Sequence, residues 1–187
     1  MKKTFYCMVI AVVVFLSLSV SAAQPPAPGE PFPALKLAVP AERAHRTYLG
    51  LSSGEFFEVP QIKARVVIVE IMSMYCPFCQ QEAPVINELY RLIEENPQLK
   101  GEMKLIGIGA GNSSYEMKVF MEKYEVPFPL IADRDFAVHA ALGEVRTPYF
   151  IGVTLEKGVS TVFYSKPGGF GEAKPFLDEM LRLSGLQ

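Results

Sequence analysis

The strongest pattern in the chain is the run Val66-Val67-Ile68-Val69-Glu70-Ile71-Met72, apolar and β-branched at successive positions with one acid inside it. A run that is apolar at both odd and even positions predicts a strand buried on both faces. From Pro77 to Glu95 the apolar residues change spacing to Val85, Ile86, Leu89, Leu92 and Ile93, the period of an amphipathic helix. Pro77 suits its first turn, and Pro84 inside it predicts a kink. Met103 to Ile108 predicts a second buried strand, 109–114 a loop and Tyr115 to Tyr124 a helix. Phe128 to Ile131 then reads as a short strand and Phe136 to Leu142 as a small helix. Tyr149 to Val153 and Val159 to Tyr164 form a hairpin pattern, and Glu172 to Leu183 a closing amphipathic helix. Nearer the N-terminus, Leu35-Lys36-Leu37 alternates like a short strand. Ser52-Ser53-Gly54 marks a turn before a second edge strand at Phe56-Phe57. The principal order, β-α-β-α-β-α-β-β-α, predicts an α/β sandwich in one domain.

The first residues follow another pattern. Lys2 and Lys3 precede an apolar stretch from Phe5 to Val20, broken only by Cys7, Ser17 and Ser19, and the small residues Ser21-Ala22-Ala23 follow. This is the layout of a secretory signal over residues 1–23, cleaved after Ala23. The alternative is an uncleaved membrane anchor, for which the stretch is short against the ~20 residues of a span. Gln24 to Pro33, rich in proline around Gly29, reads as an extended leader or tether, and residues 34–187 as the folded domain. Loss of residues 1–23 removes Lys2, Lys3 and no acid, which moves the net charge from −2 to −4. No basic run occurs, which argues against nucleic acid as a partner. Cleavage also removes Cys7. Cys76 and Cys79 then remain as the only cysteines, in a compartment that favours disulfides.

Cys76-Pro77-Phe78-Cys79 follows a buried strand and opens a helix. The unpaired N–H groups and positive dipole of a helix N-terminus stabilise a thiolate at the first cysteine. The thiolate is the nucleophile in disulfide exchange, and such a position lowers a cysteine pKa from ~8.5 to about 3.5–7.5. One helical turn brings the second sulfur within reach, so Cys79 can attack Cys76 and resolve a mixed disulfide. Two other readings of the pair stay open. A structural disulfide would close a very small loop and constrain the unfolded chain weakly. A zinc site would need two further ligands, for which the sequence offers only His45 and His139. His139 lies on a short apolar helix and reads as a packed or capping histidine.

The stretch VVIVEIMSMYCPFCQQEAP, Val66 to Pro84, resembles the active-site segment of thioredoxin-fold proteins, most closely the exported TlpA/ResA/CcmG-type reductases. Pro84 matches that fold's helix-kinking proline, and Thr147-Pro148 its cis-proline, which sits across from the two cysteines. The resemblance covers roughly Pro31 to Leu183 and includes an extra helix before Phe128-Pro129 that plain thioredoxin lacks. It implies a thioredoxin-like three-layer α/β/α sandwich with a mixed central sheet. It also implies roles for two acids. Glu70 stands where thioredoxin has a buried aspartate that relays protons to the second cysteine, and burial should raise its pKa. Glu82 falls on the third position after Cys79, where ResA-like proteins use a glutamate to tune the cysteines; a solvated helix face is the plain alternative. Pro77 and Phe78, with Thr147 and Pro148, are the candidate substrate-binding residues. The Thr147 backbone is free to pair with an extended substrate by strand addition. Tyr149 departs from the small polar residue common after this proline, which bears on substrate preference.

The resulting expectation is an exported, periplasmic thiol–disulfide oxidoreductase that reduces disulfides in other exported proteins, apocytochrome c among them. No organic cofactor is required, because two thiols carry both electrons. The resemblance further implies a membrane electron donor as partner. A disulfide-forming oxidase is the runner-up. Pro77-Phe78 lacks the histidine of strongly oxidising sites, which favours reduction. A non-catalytic redox sensor or binding module would use the same groove. A peroxidase would use a different local motif.

Overall fold

The computed structural model describes residues 23–186. The candidate signal, apart from Ala23, lies outside them, and among the described residues no helix is long and apolar enough to cross a membrane. The elements are β1 (Leu37–Ala38), α1 (Arg43–Leu49), β2 (Phe56–Phe57), a single 3-10 turn (Val59–Gln61), β3 (Val66–Met72) and α2 (Pro77–Glu95). They continue with β4 (Met103–Ala110), α3 (Ser114–Tyr124), β5 (Leu130–Asp133), α4 (Ala137–Ala141), β6 (Tyr149–Glu156), β7 (Val159–Pro167) and α5 (Ala173–Ser184).

The main sheet has the order β5-β4-β3-β6-β7. β3 pairs in parallel with β4, β4 in parallel with β5, and β6 runs antiparallel to both β3 and β7. All seven residues of β3 are buried, because it is the central strand with layers on both faces. Val66, Ile68 and Met72 face one apolar layer with Leu89 and Ile93 of α2, Met117 and Phe120 of α3, and Phe176 and Met180 of α5. Val67, Val69 and Ile71 face the other, with Leu49 of α1, Leu37, Phe57 and Leu142. This is the three-layer α/β/α sandwich with a mixed sheet.

Three departures from the sequence expectation have physical causes. α1 is absent from the pattern because Leu49 is its one buried residue; tertiary contacts, not periodicity, hold it. One of these is the Tyr48 hydroxyl, which accepts the Leu105 N–H at 2.8 Å. β5 covers only Gly107 to Ala110 of β4, so Tyr48 satisfies a donor on the uncovered part of that edge. Second, Gln24 to Pro33 is extended but does not trail. Gly29 N–H donates to Val162 O, Val162 N–H to Glu30 O and Phe32 N–H to Ser160 O, which lays the segment along β7. Phe32 is buried there. Third, β4 runs on to Ala110, through Gly109, where a β-carbon would lie 2.3 Å from the Met117 sulfur. Glycine lets α3 approach the strand, and the strand continues where turn chemistry was expected. α2 passes through Pro84 as one helix.

Leu89 is fully buried between α2 and the sheet. Leu89→Ala is expected to lower stability by about 2–5 kcal/mol through transfer and cavity terms, read from the denaturant midpoint with unchanged slope.

Candidate active site

The chain leaves β3 through a short loop, Ser73 to Cys76, that is held from three sides. Met74 N–H donates to Asn112 Oδ1 at 2.9 Å, Gln80 Nε2 to Met74 O at 2.8 Å, and Cys76 N–H to Ser73 O at 3.1 Å. Cys76 then occupies the N-cap of α2, with φ −83° and ψ 115°. The thiol closes no strict capping bond, but the Phe78 and Cys79 N–H groups point towards its sulfur. Partial burial opposes its ionisation; hydrogen bonds from the Thr147 side chain, the Cys79 N–H and thiol, and the Phe78 N–H outweigh it, so the pKa is lowered. The thiol also donates to the Thr147 carbonyl at 3.3 Å. That bond favours the protonated form and is released when the proton leaves.

Cys79 lies one turn into α2 and is 1% exposed. Burial pushes its thiol pKa up, and the Glu70 carboxylate behind it adds to the shift. Both cysteines are unbonded thiols. The two sulfurs therefore have opposite characters, the outer one activated and the inner one held protonated.

Glu70 is buried at 5% exposure. Its sheet neighbours are Gly107 on β4 and Phe150 on β6. A β-carbon on Gly107 would lie 2.3 Å from Leu130 Cδ2 and at ordinary contact distance, 3.8 Å, from Glu70 Oε2, so the glycine makes room for Leu130 beside the acid. Burial raises the Glu70 pKa to about 8, with Glu82 and Cys76 adding to it through their negative charge. Glu82 is half-buried on α2 and accepts the Phe170 N–H at 2.9 Å. Glu70 is buried as expected, and Glu82 is not the freely solvated helix-face residue of the plain alternative.

On the outer face, Phe78 is 68% and Tyr75 67% exposed beside Cys76, and Pro77 is exposed as well. Thr147-Pro148 is a cis peptide and lies against Cys76 through the Thr147 carbonyl. The Tyr149 hydroxyl pairs with Ser165 Oγ at 2.9 Å, so this residue turns along β7. All eight residues singled out from the sequence thus converge on the N-terminus of α2 and the segments around it. His139 does not join them: its Nε2 lies 2.8 Å from Val145 O.

The structure adds residues that sequence reasoning missed. Asn112 is fully buried and holds Met74, and Tyr75 hydrogen-bonds to Glu116, the residue whose carboxylate closes the capping box with Ser113. The spacing Ser113-x-x-Glu116 carries that signature in the sequence. Gly168-Gly169 reads from the sequence as allowing close approach of a substrate chain or as a plain turn; what the structure places against Gly169 and Phe170 is Glu82, and Phe170 has no local signal.

The fold and this strand–helix dithiol define a thioredoxin-like protein. Residues 28–165 match the model of the AhpC/TSA family, and the chain belongs to that family. Among curated proteins it is similar to the thiol-disulfide oxidoreductase ResA of Halalkalibacterium halodurans. The two are 26% identical over 107 residues, which is 57% of this chain and 58% of the relative. ResA of Bacillus cereus is 27% identical over 109 residues, covering 56% and 60%. The match thus spans less than two thirds of these relatives' length. Among solved structures, a secreted Mycobacterium tuberculosis disulfide oxidoreductase homologous to E. coli DsbE has a TM-score of 0.56 at 18% identity, covering 80% of this chain and 96% of its own. A putative thiol:disulfide interchange protein DsbE from Chlorobium tepidum reaches 0.63 at 12%, covering 85% and 98%. These likenesses show the fold.

Two outcomes are expected. Alkylation at pH 7 modifies Cys76 and leaves Cys79 at least roughly tenfold slower, as mapped by mass spectrometry of the reduced protein. For Glu70, the folded pKa of about 8 lies above the ordinary 4.5, so the folded state keeps a proton that the unfolded chain releases. Stability is full below about pH 4.5 and declines as pH rises to about 8, by at most about 1.4 kcal/mol per pH unit for this group. Glu70→Gln removes that decline, measured as the difference between the two proteins' unfolding free energies across pH.

Proposed function

We propose that this protein is an exported thiol–disulfide oxidoreductase that reduces disulfides in other exported proteins through Cys76 and Cys79. The observation that carries this reading is the asymmetry of the two sulfurs. Cys76 is at the helix N-cap with a lowered pKa, and Cys79 is buried with a raised pKa beside Glu70. Membership of the AhpC/TSA family and similarity to proteins named as thiol-disulfide oxidoreductases support it.

The residues act in sequence. The Cys76 thiolate attacks one sulfur of a substrate disulfide; a Cys76–substrate disulfide forms and the other substrate sulfur leaves as a thiolate. An extended substrate segment pairs with the Thr147 backbone beside Pro148, and Phe78 and Pro77 form the apolar rim it crosses. Glu70 in its ionised form, whose share grows as pH approaches about 8, takes the Cys79 proton, and the Cys79 sulfur attacks Cys76 Sγ. The Cys76–Cys79 disulfide forms, the second substrate sulfur leaves, and two electrons have passed to the substrate. Glu82 sets the charge beside Glu70. A membrane-bound dithiol donor returns the pair to the reduced state.

The direction follows from electrostatics. A strongly oxidising site has a stabilised reduced thiolate. Here Pro77-Phe78 supplies no charge, burial works against the Cys76 thiolate, and Glu70 works against ionisation of Cys79. The reduced form gains little, which favours donating electrons. The signal-like residues 1–23 support a periplasmic location, where apocytochrome c before haem attachment is a fitting substrate.

Cys79→Ala is expected to accumulate mixed disulfides with several exported proteins, and Cys76→Ser with none, on non-reducing gels. The equilibrium potential against glutathione is expected near the thioredoxin end of the range, about −270 mV; a value near −120 mV would overturn the reductase direction.

A further inference from the structure

In the loop between β7 and α5, the segment Gly168-Gly169-Phe170-Gly171 carries no ionisable side chain, yet it reaches both halves of the site. At one end Gly168 N–H donates to the Pro148 carbonyl at 2.8 Å. Two residues on, Phe170 N–H donates to Glu82 Oε1 at 2.9 Å. Between them, a β-carbon on Gly169 would lie 2.1 Å from Glu82 Oε2 and 2.7 Å from its Cδ. The Phe170 ring is itself fixed, stacked on Phe176 at 3.9 Å and meeting Phe150 edge-on at 5.0 Å. Phe150 is the β6 neighbour of Glu70, so the packing that holds the loop begins at the buried acid. A glutamate on an open helix face keeps its rotamer freedom. This one has a backbone wall on one side and a charge-assisted amide bond on the other.

We infer that Gly169 and Phe170 are the positioning residues of Glu82, holding its carboxylate beside Glu70 and in register with the Thr147–Pro148 segment. The inference rests on the oxidoreductase reading and assigns the loop its part in the resolving step. In that step the Cys79 proton passes to Glu70, the Cys79 sulfur bonds to Cys76 Sγ, and the substrate sulfur departs. Glu82 makes Glu70 the better base, because a second negative charge nearby raises its proton affinity. The other ionisable groups facing Glu70 are Cys76 and Cys79 at the start of α2. Its sheet neighbours, Gly107 and Phe150, carry no charge.

The test follows release of the second thionitrobenzoate from the adduct that Cys76 forms with Ellman's reagent, a reading of Cys79 attack, across pH. It compares the wild-type full chain with Glu82→Gln, Gly169→Ala and the double variant. Both single variants are expected to move the midpoint of the rate profile down by about one pH unit, and the double variant to move it no further than Glu82→Gln alone. A Gly169→Ala profile at the wild-type midpoint, or a shift that adds to that of Glu82→Gln, overturns the inference. Should Gly169→Ala not fold, the Phe170 amide proton is followed by NMR in the wild type. Its chemical shift is expected to move upfield in Glu82→Gln as the bond to a carboxylate is lost; an amide shift unchanged by Glu82→Gln overturns the inference. If wild-type Cys79 releases no second thionitrobenzoate, the oxidoreductase reading itself falls.

Discussion

A carboxyl group sits inside the sheet of this protein, and the rest of the site is arranged around it. Glu70 forms no salt bridge among the described residues, and its sheet neighbours are a glycine and a phenylalanine. An ionised carboxylate there would be expensive, so the group holds a proton at neutral pH. In the proposed reaction, that same penalty makes its ionised form a strong proton acceptor for a neighbour that needs one. Cys79 is that neighbour, buried and equally reluctant to ionise. Burial outweighs what little stabilises either charge, and the two groups are coupled because each makes the other's charge more costly.

Cys76 is governed by opposite physics a few ångströms outward. It lies at the boundary between strand and helix, where backbone donors without helical partners are available to a sulfur. The opposing contributions, burial against donors, leave a modest net lowering and no strongly stabilised thiolate. In the proposed reaction, one helical turn thus separates the sulfur that begins exchange from the sulfur that ends it, and this separation sets the order of the steps.

The unit between β4 and α4 supports this arrangement from the side. β5 extends the sheet past β4, and α3 packs on the same face as α2. From the turn before α3, Asn112 holds Met74, and from its first turn Glu116 takes the Tyr75 hydroxyl. The active loop is therefore braced by residues about forty positions away in sequence. On the opposite side, the loop after β7 holds Glu82, and the Pro148 carbonyl accepts the Gly168 N–H of the same loop.

Much of this was legible in the chain itself. The doubly buried strand was written in seven consecutive apolar or acid positions, and α2 in its period, because burial on one or two faces constrains residue type at every step. The two cysteines at the strand–helix junction announced thiol chemistry, since helix N-termini are a local consequence of backbone geometry. What the sequence could not determine was who stands beside whom across the fold. α1 has one buried residue and so no period to read, and the leader's pairing with β7 leaves no mark on either segment. Glu82 looked the same as a solvated glutamate until the tertiary structure placed Gly169 and Phe170 against it. Proximity between distant segments is decided by packing, which acts on surfaces rather than on spacing along the chain.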